Sequence, residues 1–393
     1  MDILIFKIPF QNPQILFSDV INYIKHPLSP EEFRVALENK WGISNIQIAK
    51  SARQAICLIL SALEPEPGSE VLVSSFTAPV VPLAVMKAGC RPVFCDVVPN
   101  GFVMSPEDTI RKITSKTIAI IMPYSFGCYC DLRKFKNMAE KHRLVLIEDC
   151  AQSIEGFYKN KRLGFNSDFG IWSFGISKNI GSINGGAYWF HEKHRTKIEK
   201  HINKLTSKMR NCHHPFDIIR AAGIPLIHTK TGYTLTRPLL RRYEQKREKV
   251  RSYSLKTVEF DENITNLEAT LCYYQLERYP ATHQRRRNNY NIFKRNLKDL
   301  VRFPEDIPDF IPDYLYAPIL VDREIRNRLL AKFSFVHDIN FSYLDRLDLL
   351  KEFFFIGENR KKVQDEYLLL SIHHREVVTE KIVKLLRDYI LRF

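Results

Sequence analysis

Apolar and polar positions follow two periods along the first half of the chain. EVLVSSF (70–76), RPVFCDV (91–97), TIAIIMPYSF (117–126) and LVLIEDC (144–150) are short, apolar on both faces and rich in Val and Ile. The segments between them carry helix punctuation. PEEFRVALENKWG ends at Gly42, and SARQAICLILSAL opens on Ser51, a good N-cap. TAPVVPLAVMKAG has prolines in its first two turns and Gly89 at its end. SPEDTIRKITSK sets Ser105 as cap, Pro106 at the first helical position and Asp108 in the place of a capping-box acid. DLRKFKNMAEKHR reads as a further helix. Strand and helix therefore alternate from about residue 30 to 190, which predicts an α/β fold with a mainly parallel sheet covered by helices on both faces. Ligands of such sheets sit beyond the carboxyl ends of the strands, so Asp149, at the end of LVLIED, is predicted to face the binding crevice.

After Phe190 the rhythm changes. A basic helical stretch from Glu192 to Ser207 leads into a segment whose helices are interrupted by Pro225 and Pro238. One long helix, bent near Pro280, is predicted over residues 263–297. The tail mixes strands (YLYAPILV, EYLLLSI) with helices (REIRNRLLAKF, TEKIVKLLRDYIL) and reads as a smaller α+β domain. The predicted division is 1–256, with an N-terminal arm and a basic insertion at about 208–256, and 257–393.

Composition changes this picture little. Of 393 residues, 45% are apolar and 26% charged, which is ordinary for a globular protein. No run reaches the length of a membrane-spanning helix, and MDILIFKIPFQNP lacks the layout of a secretion signal. The eight cysteines are scattered; Cys57, Cys90, Cys95 and Cys150 read as small core residues, and Cys128 and Cys130 match no zinc spacing. A reducing, cytoplasmic setting is expected. The paired histidines at 213–214 and 373–374 have no further ligands at metal spacing, so no metal is expected.

The net charge of +15 is uneven, with much of the excess between Lys193 and Lys256 and a second cluster at Arg285–Arg287. Solvated helix faces account for such runs, and no nucleic-acid motif accompanies them. Apolar clusters beside cations over 216–249 also suit contact with an anionic membrane surface.

The chemistry concentrates between Leu144 and Phe190. LVLIEDCAQS sets an acid after one apolar strand, SDFGIWSFGISKN a lysine after a second, and GGAYWF opens a third. An acid, a hydroxyl and a lysine delivered by neighbouring strand ends are what a pyridoxal phosphate site needs.

Taken in order, SARQA, SSFTAP, AGCRPVFCDV, EDCAQS, WSFGISKN and INGGAYWF resemble the DegT/DnrJ/StrS family of sugar aminotransferases, which are fold type I pyridoxal phosphate enzymes. The resemblance is strong from about Glu31 to Glu192 and weaker through Asn263 to Asn296. It implies that Lys178 forms the imine with the cofactor, Asp149 holds the ring nitrogen protonated, Gln152 contacts the ring hydroxyl and Ser173 binds the phosphate. The phosphate would also rest on the helix start at Ala52 and Arg53. A homodimer is implied, because sites of this fold type form between two subunits.

Several positions depart from the family. Members commonly read Ser-Gly-Thr where this chain has Ser51-Ala52-Arg53, and Arg53 could serve the phosphate instead. An aromatic residue that covers the ring in many members is replaced by Ala78, leaving Phe76 and Tyr124 as candidates. A Gly-Tyr-Asn-x-Arg pattern that reaches the partner's cofactor is FDENITN here, with Asn263 as a candidate amide and Asp261 beside it. Asn184 stands where an acid is usual.

The implied activity is transfer of an amino group from an amino acid, glutamate in the first instance, to a keto or aldehyde group of a nucleotide-linked sugar, for surface glycan or related amino-sugar synthesis. Sugar dehydration on the same cofactor is a neighbouring reaction, but members that perform it usually carry histidine where this chain has Lys178. A binding or regulatory protein that kept the fold and lost the chemistry is the other alternative, suggested by SARQA and FDENITN.

Overall fold

The computed structural model describes residues 14–206, 209–210, 216–227, 229, 231–232, 235–236, 262–333, 336–337 and 357–392. The basic run 241–251, His213–His214, Pro238 and Asp261 lie outside them.

Helices α1 (Phe17–Lys25) and α2 (Pro30–Trp41) lead to strand β1 (Ile46–Ala49) and helix α3 (Ala52–Ala62). There follow β2 (Glu70–Ser74), α4 (Val80–Lys87), β3 (Arg91–Cys95), α5 (Pro106–Arg111), β4 (Thr117–Pro123), α6 (Leu132–His142) and β5 (Val145–Asp149). A hairpin of β6 (Phe157–Tyr158) and β7 (Lys161–Arg162) precedes β8 (Phe169–Ser173) and β9 (Gly186–Phe190). These build a seven-stranded sheet of order β1-β9-β8-β5-β4-β2-β3. The β3, β2, β4, β5 and β8 strands are parallel; β9 and β1 close one edge antiparallel. The sheet is thus mainly parallel, as the sequence predicts. The β1 strand and helix α1 were not predicted.

Alternation along each strand splits the core in two, because successive side chains leave opposite faces. Leu72, Ile120, Met122, Leu146 and Trp172 join α2 and α6 on one face. Val71, Val73, Ile121, Ile147 and Ile171 meet α3 and α4 on the other. Both faces are dry, which is why the strands read as unbroken apolar runs.

After β9 come α7 (Arg195–Thr206), α8 (Asp217–Ile227, with Pro225 inside) and the 32-residue α9 (Asn266–Leu297). Thr265 and Glu268 form a capping box at the start of α9, and Pro280 lies within it. The tail adds β10 (Phe310–Ile311), β11 (Ala317–Leu320), α10 (Arg323–Lys332), β12 (Val336–His337), α11 (Glu358–Glu366), β13 (Tyr367–Leu370) and α12 (Glu376–Ile390). The β11, β13 and β12 strands form a small antiparallel sheet, and β10 pairs with β6. Leu368, Leu370 and Ile382 of the tail share one continuous apolar cluster with Phe33 and Trp172.

One local expectation resolves differently, and the cysteines resolve as expected. Ser105 does cap α5 through Asp108 N–H, but the Asp108 carboxylate accepts from Asp96 N–H at 2.7 Å rather than closing a capping box. That draws the end of β3 onto α5 instead. Cys57, Cys90, Cys95, Cys128, Cys130 and Cys150 are buried free thiols.

Gly186 shows why the third glycine-rich motif sits where it does. A Cβ there would lie 2.5 Å from the Ser51 carbonyl carbon and 2.6 Å from Ala52 N. The start of α3 therefore rests directly on the sheet backbone. Gly186→Ala is expected to lose about 1–3 kcal/mol in urea unfolding through this overpacking; an unchanged midpoint would show that the contact relaxes freely.

Candidate active site

Strand register brings the predicted residues to one edge of the sheet. Pro123 of β4 lies opposite Asp149 of β5, and Asp149 lies opposite Ile171 of β8. Ser173, at the end of β8, lies opposite Gly186, and Gly185 bridges to Ser51. Between these ends opens a cavity of about 420 Å³. Ala52, Arg53, Asp149, Gln152, Ser173 and Lys178 all line it. Asn263 does not. It borders a separate depression with Ser29 and Gln47, and its N–H donates to the Arg210 carbonyl at 3.0 Å.

Asp149 is buried, and one carboxylate oxygen accepts from Ala151 N–H at 2.9 Å. Burial pushes its pKa up, against the opposing pulls of that hydrogen bond and of Lys178. Lys178 follows a tight turn, its N–H donating to the Gly175 carbonyl. Desolvation lowers the pKa of its amine, and the Asp149 charge partly offsets this. An amine that gives up its proton readily is a competent nucleophile toward a carbonyl. Gln152 Oε1 accepts from Phe126 N–H at 2.5 Å, which fixes the amide and leaves Nε2 as a donor for the cavity.

The opposite end suits an anion. The Ser51 hydroxyl caps α3 by accepting from Gln54 N–H at 3.2 Å, and the Ser51 carbonyl accepts from Ala55 N–H. The first two N–H groups of α3, those of Ala52 and Arg53, open the helix at the cavity and have no acceptor within the helix itself. They point along the positive end of the helix dipole. The Arg53 guanidinium has no acidic partner among the described residues, and Ser173 adds a hydroxyl. The donor set fits pyridoxal phosphate: an amine for its aldehyde, a buried acid for its ring nitrogen, and a helix start, a hydroxyl and a guanidinium for its phosphate.

Two features, Arg220 and Glu148, escaped the sequence reading. Arg220 of α8 reaches the cavity wall, and among the described residues its nearest carboxylate, Asp217, is 4.0 Å away. No motif marks it, because α8 is brought there by packing: its Ala221 and Ile224 cluster with Val20 of α1, Ile183, and Leu267 and Leu271 of α9. Tyr124 is pinned by its hydroxyl, which donates to Glu148 at 2.8 Å. Glu148 is fully buried and also accepts from Gly164 N–H, Asn166 N–H and the Ser167 hydroxyl. This satisfied carboxylate stands next to Asp149 on the strand and holds the loop 164–167. Ala78 lines the cavity as a small wall, with the Phe76 ring behind it in edge contact with Phe126 and Tyr367.

A strand-end lysine and acid on a mainly parallel sheet, with an anion cradle opposite, define a fold type I transferase site. Residues 29–341 match the model of the DegT/DnrJ/EryC1/StrS aminotransferase family, and the chain belongs to that family. It is thereby a pyridoxal phosphate-dependent sugar aminotransferase by family. The chain is 38% identical to UDP-N-acetyl-3-dehydro-alpha-D-glucosamine 3-aminotransferase of Acidithiobacillus ferrooxidans over 136 residues, 35% of this chain and 37% of that relative. It is 27% identical to GDP-perosamine synthase of Escherichia coli O157:H7 over 304 residues, 75% of this chain and 72% of that one. The fold is similar to that of the putative sugar aminotransferase Spr1654 from Streptococcus pneumoniae, solved in PMP- and PLP-forms, with TM-score 0.78 and 20% identity over 98% of this chain; 98% of that chain is covered in the PMP-form and 99% in the PLP-form.

The electrostatics give a measurable sign. In cofactor-free protein, the Lys178 amine is expected to reach half-maximal acylation by a small reagent below pH 10.5, the ordinary lysine value. Because the Asp149 charge holds that pKa up, Asp149→Asn should move the midpoint lower still. Peptide mass spectrometry across a pH series reads both. A midpoint at or above 10.5, or an upward shift in the variant, contradicts the assignment.

Proposed function

We propose that the protein transfers an amino group from an amino acid, with L-glutamate the first donor to test, to a keto or aldehyde carbon of a nucleotide-linked sugar. The observation that carries this reading is the pairing of Lys178 and Asp149 on one cavity whose far wall is an anion cradle. The relatives' UDP- and GDP-linked names support the nucleotide.

When bound, the cofactor supplies an aldehyde carbon that takes up the amine and a ring that accepts electron density. The protein supplies the rest. Lys178 Nζ is the nucleophile and, once displaced, the base that moves a proton at the substrate carbon. Asp149 fixes a proton opposite its carboxylate. Gln152 Nε2 orients a ring oxygen, and the amides of Ala52 and Arg53 with the Ser173 hydroxyl hold the phosphate. Ile56, Val81 and Ile183 give the cavity apolar wall. Ala78 leaves room for a bulky acceptor.

Arg53 and Arg220 give the cavity two guanidiniums. One suffices for a cofactor phosphate, so Arg220 is assigned to the anionic group of a substrate, a donor carboxylate or the sugar diphosphate. Arg220→Ala should raise KM for that substrate about tenfold or more with little change in kcat, as loss of a charge-assisted hydrogen bond implies. Steady-state kinetics with L-glutamate against a panel of UDP- and GDP-linked keto sugars tests both claims. Failure with every donor–acceptor pair overturns the reaction. A lowered kcat at unchanged KM moves Arg220 out of substrate binding.

The working unit proposed is a cytoplasmic homodimer built on the two-part chain 1–256 and 257–393, serving surface glycan or related amino-sugar synthesis. Exposed Phe17, Ile21 and Ile24 of α1, with Phe216 and Ile219 at the start of α8, provide apolar surface. Such a dimer would also give Asn263, which does not line its own cavity, a partner site to reach. Light scattering should return twice the 46.1 kDa chain mass. A monomer that floats with anionic vesicles at low salt would instead assign the surface around 216–249 to a membrane.

A further inference from the structure

Asp313 lies just before β11, more than a hundred residues from the motifs of the site, and is completely buried. One carboxylate oxygen, Oδ2, accepts from Ile154 N–H at 2.6 Å, Glu155 N–H at 2.8 Å and Asn179 Nδ2 at 2.9 Å. The other, Oδ1, accepts from the Tyr279 hydroxyl at 2.6 Å. The direction of that last bond follows by counting. The Tyr279 oxygen already accepts from Asn179 Nδ2 at 2.8 Å and from Arg286 Nη1 at 3.1 Å, so its own proton goes to Asp313. Every partner is a donor, and a carboxylate needs nothing more.

These donors come from two loops that matter. Ile154 and Glu155 end the turn that begins at Asp149 and carries Gln152. Asn179 is the residue after Lys178. Asp313 therefore ties the acid-bearing loop and the lysine-bearing loop to one point, with Tyr279 of α9 as a second anchor. Helix α9 holds the lysine loop again one turn earlier. Gln275 accepts from Gly181 N–H at 2.8 Å and donates to the Gly181 carbonyl at 2.6 Å. Behind Tyr279, Arg286 is fully buried and its Nε donates to His373 Nδ1 at 3.1 Å, which extends the network to the end of β13. The backbone at Asp313 is itself pressed against Gly127, where a Cβ would lie 2.3 Å from the Asp313 carbonyl oxygen.

We propose that Asp313 is a positioning residue that sets the spacing between Lys178 and the Asp149–Gln152 loop, acting through Asn179 and the 154–155 amides. This rests on the reading of the cavity as a pyridoxal phosphate site. Hydrogen bonds to charged groups are strong and short, so one buried carboxylate fixes two loops more firmly than neutral contacts would. A lysine displaced relative to the acid would bind the cofactor in a poorer geometry and feel a weaker Asp149 charge.

The test uses the full chain reconstituted with pyridoxal phosphate. Its readouts are the visible absorbance band that depends on Lys178, the pH midpoint of that band, cofactor affinity, and the rate at which L-glutamate converts it. Asp313→Asn places a donor against donors and is the direct variant. Tyr279→Phe removes one hydroxyl at constant shape and guards against a misfolded Asp313→Asn. Val363→Ala, in the small-sheet core and away from both loops, is the stability control. The expected result for both network variants is weaker cofactor binding, a pH midpoint moved by about half a unit or more and conversion slowed about tenfold or more. The control should lose thermal stability with its midpoint unmoved. Variants that bind the cofactor and titrate like wild type, or that differ from it only as Val363→Ala does, overturn the positioning role while leaving the site assignment intact. A wild-type protein that forms no Lys178-dependent band overturns both.

Discussion

A half-buried amine and a buried acid, each held away from its ordinary ionisation by the same cavity, are the constraint around which this structure is organised. Neither charge is comfortable there, since burial disfavours the charged form of Lys178 and of Asp149 alike. The fold tolerates the pair because both stand at the carboxyl edge of a sheet covered on its two faces. That edge is where a parallel sheet leaves side chains without neighbouring strands above them. The discomfort is also the function. An amine with a suppressed charge is reactive, and an acid with unused acceptor capacity can hold a proton on a bound ring.

The rest of the molecule keeps that pair in place. Glu148 points into the opposite core from Asp149 and binds the loop behind it. The close approach at Gly186 seats the start of α3 on the sheet, so that the helix start and the amine share one cavity. From below, Asp313, Tyr279 and Gln275 fasten the two loops that carry the chemistry. The chain thus spends its buried polar groups on loop geometry, where backbone is irregular, and leaves the sheet itself to apolar packing.

Legibility in the sequence follows the same division. The parallel strands were readable because double-sided burial leaves runs such as EVLVS and TIAIIM without polar interruption. Lys178 and Asp149 were legible from the apolar strands before them, and Gln152 and Ser173 through the resemblance of EDCAQS and WSFGISKN to the family; all four line the cavity. Strand β1 was not, since IQIA is four residues long and pairs antiparallel with a strand 140 residues further on. Arg220 and Asp313 were invisible for a related reason. Their roles come from helix packing and from contacts across more than 100 residues, and neither sits in a pattern that local periodicity can detect. Asn263 shows the converse: a motif position legible by resemblance lies away from the cavity of its own chain.

The central claim is that one amine, that of Lys178, bonds the cofactor. The most direct measurement is borohydride reduction of the protein after incubation with pyridoxal phosphate, followed by peptide mapping. The account predicts a single stable adduct in the peptide spanning Ser173 to Lys178, lost in Lys178→Ala. An adduct on another lysine at equal yield, or none at saturating cofactor, would contradict it.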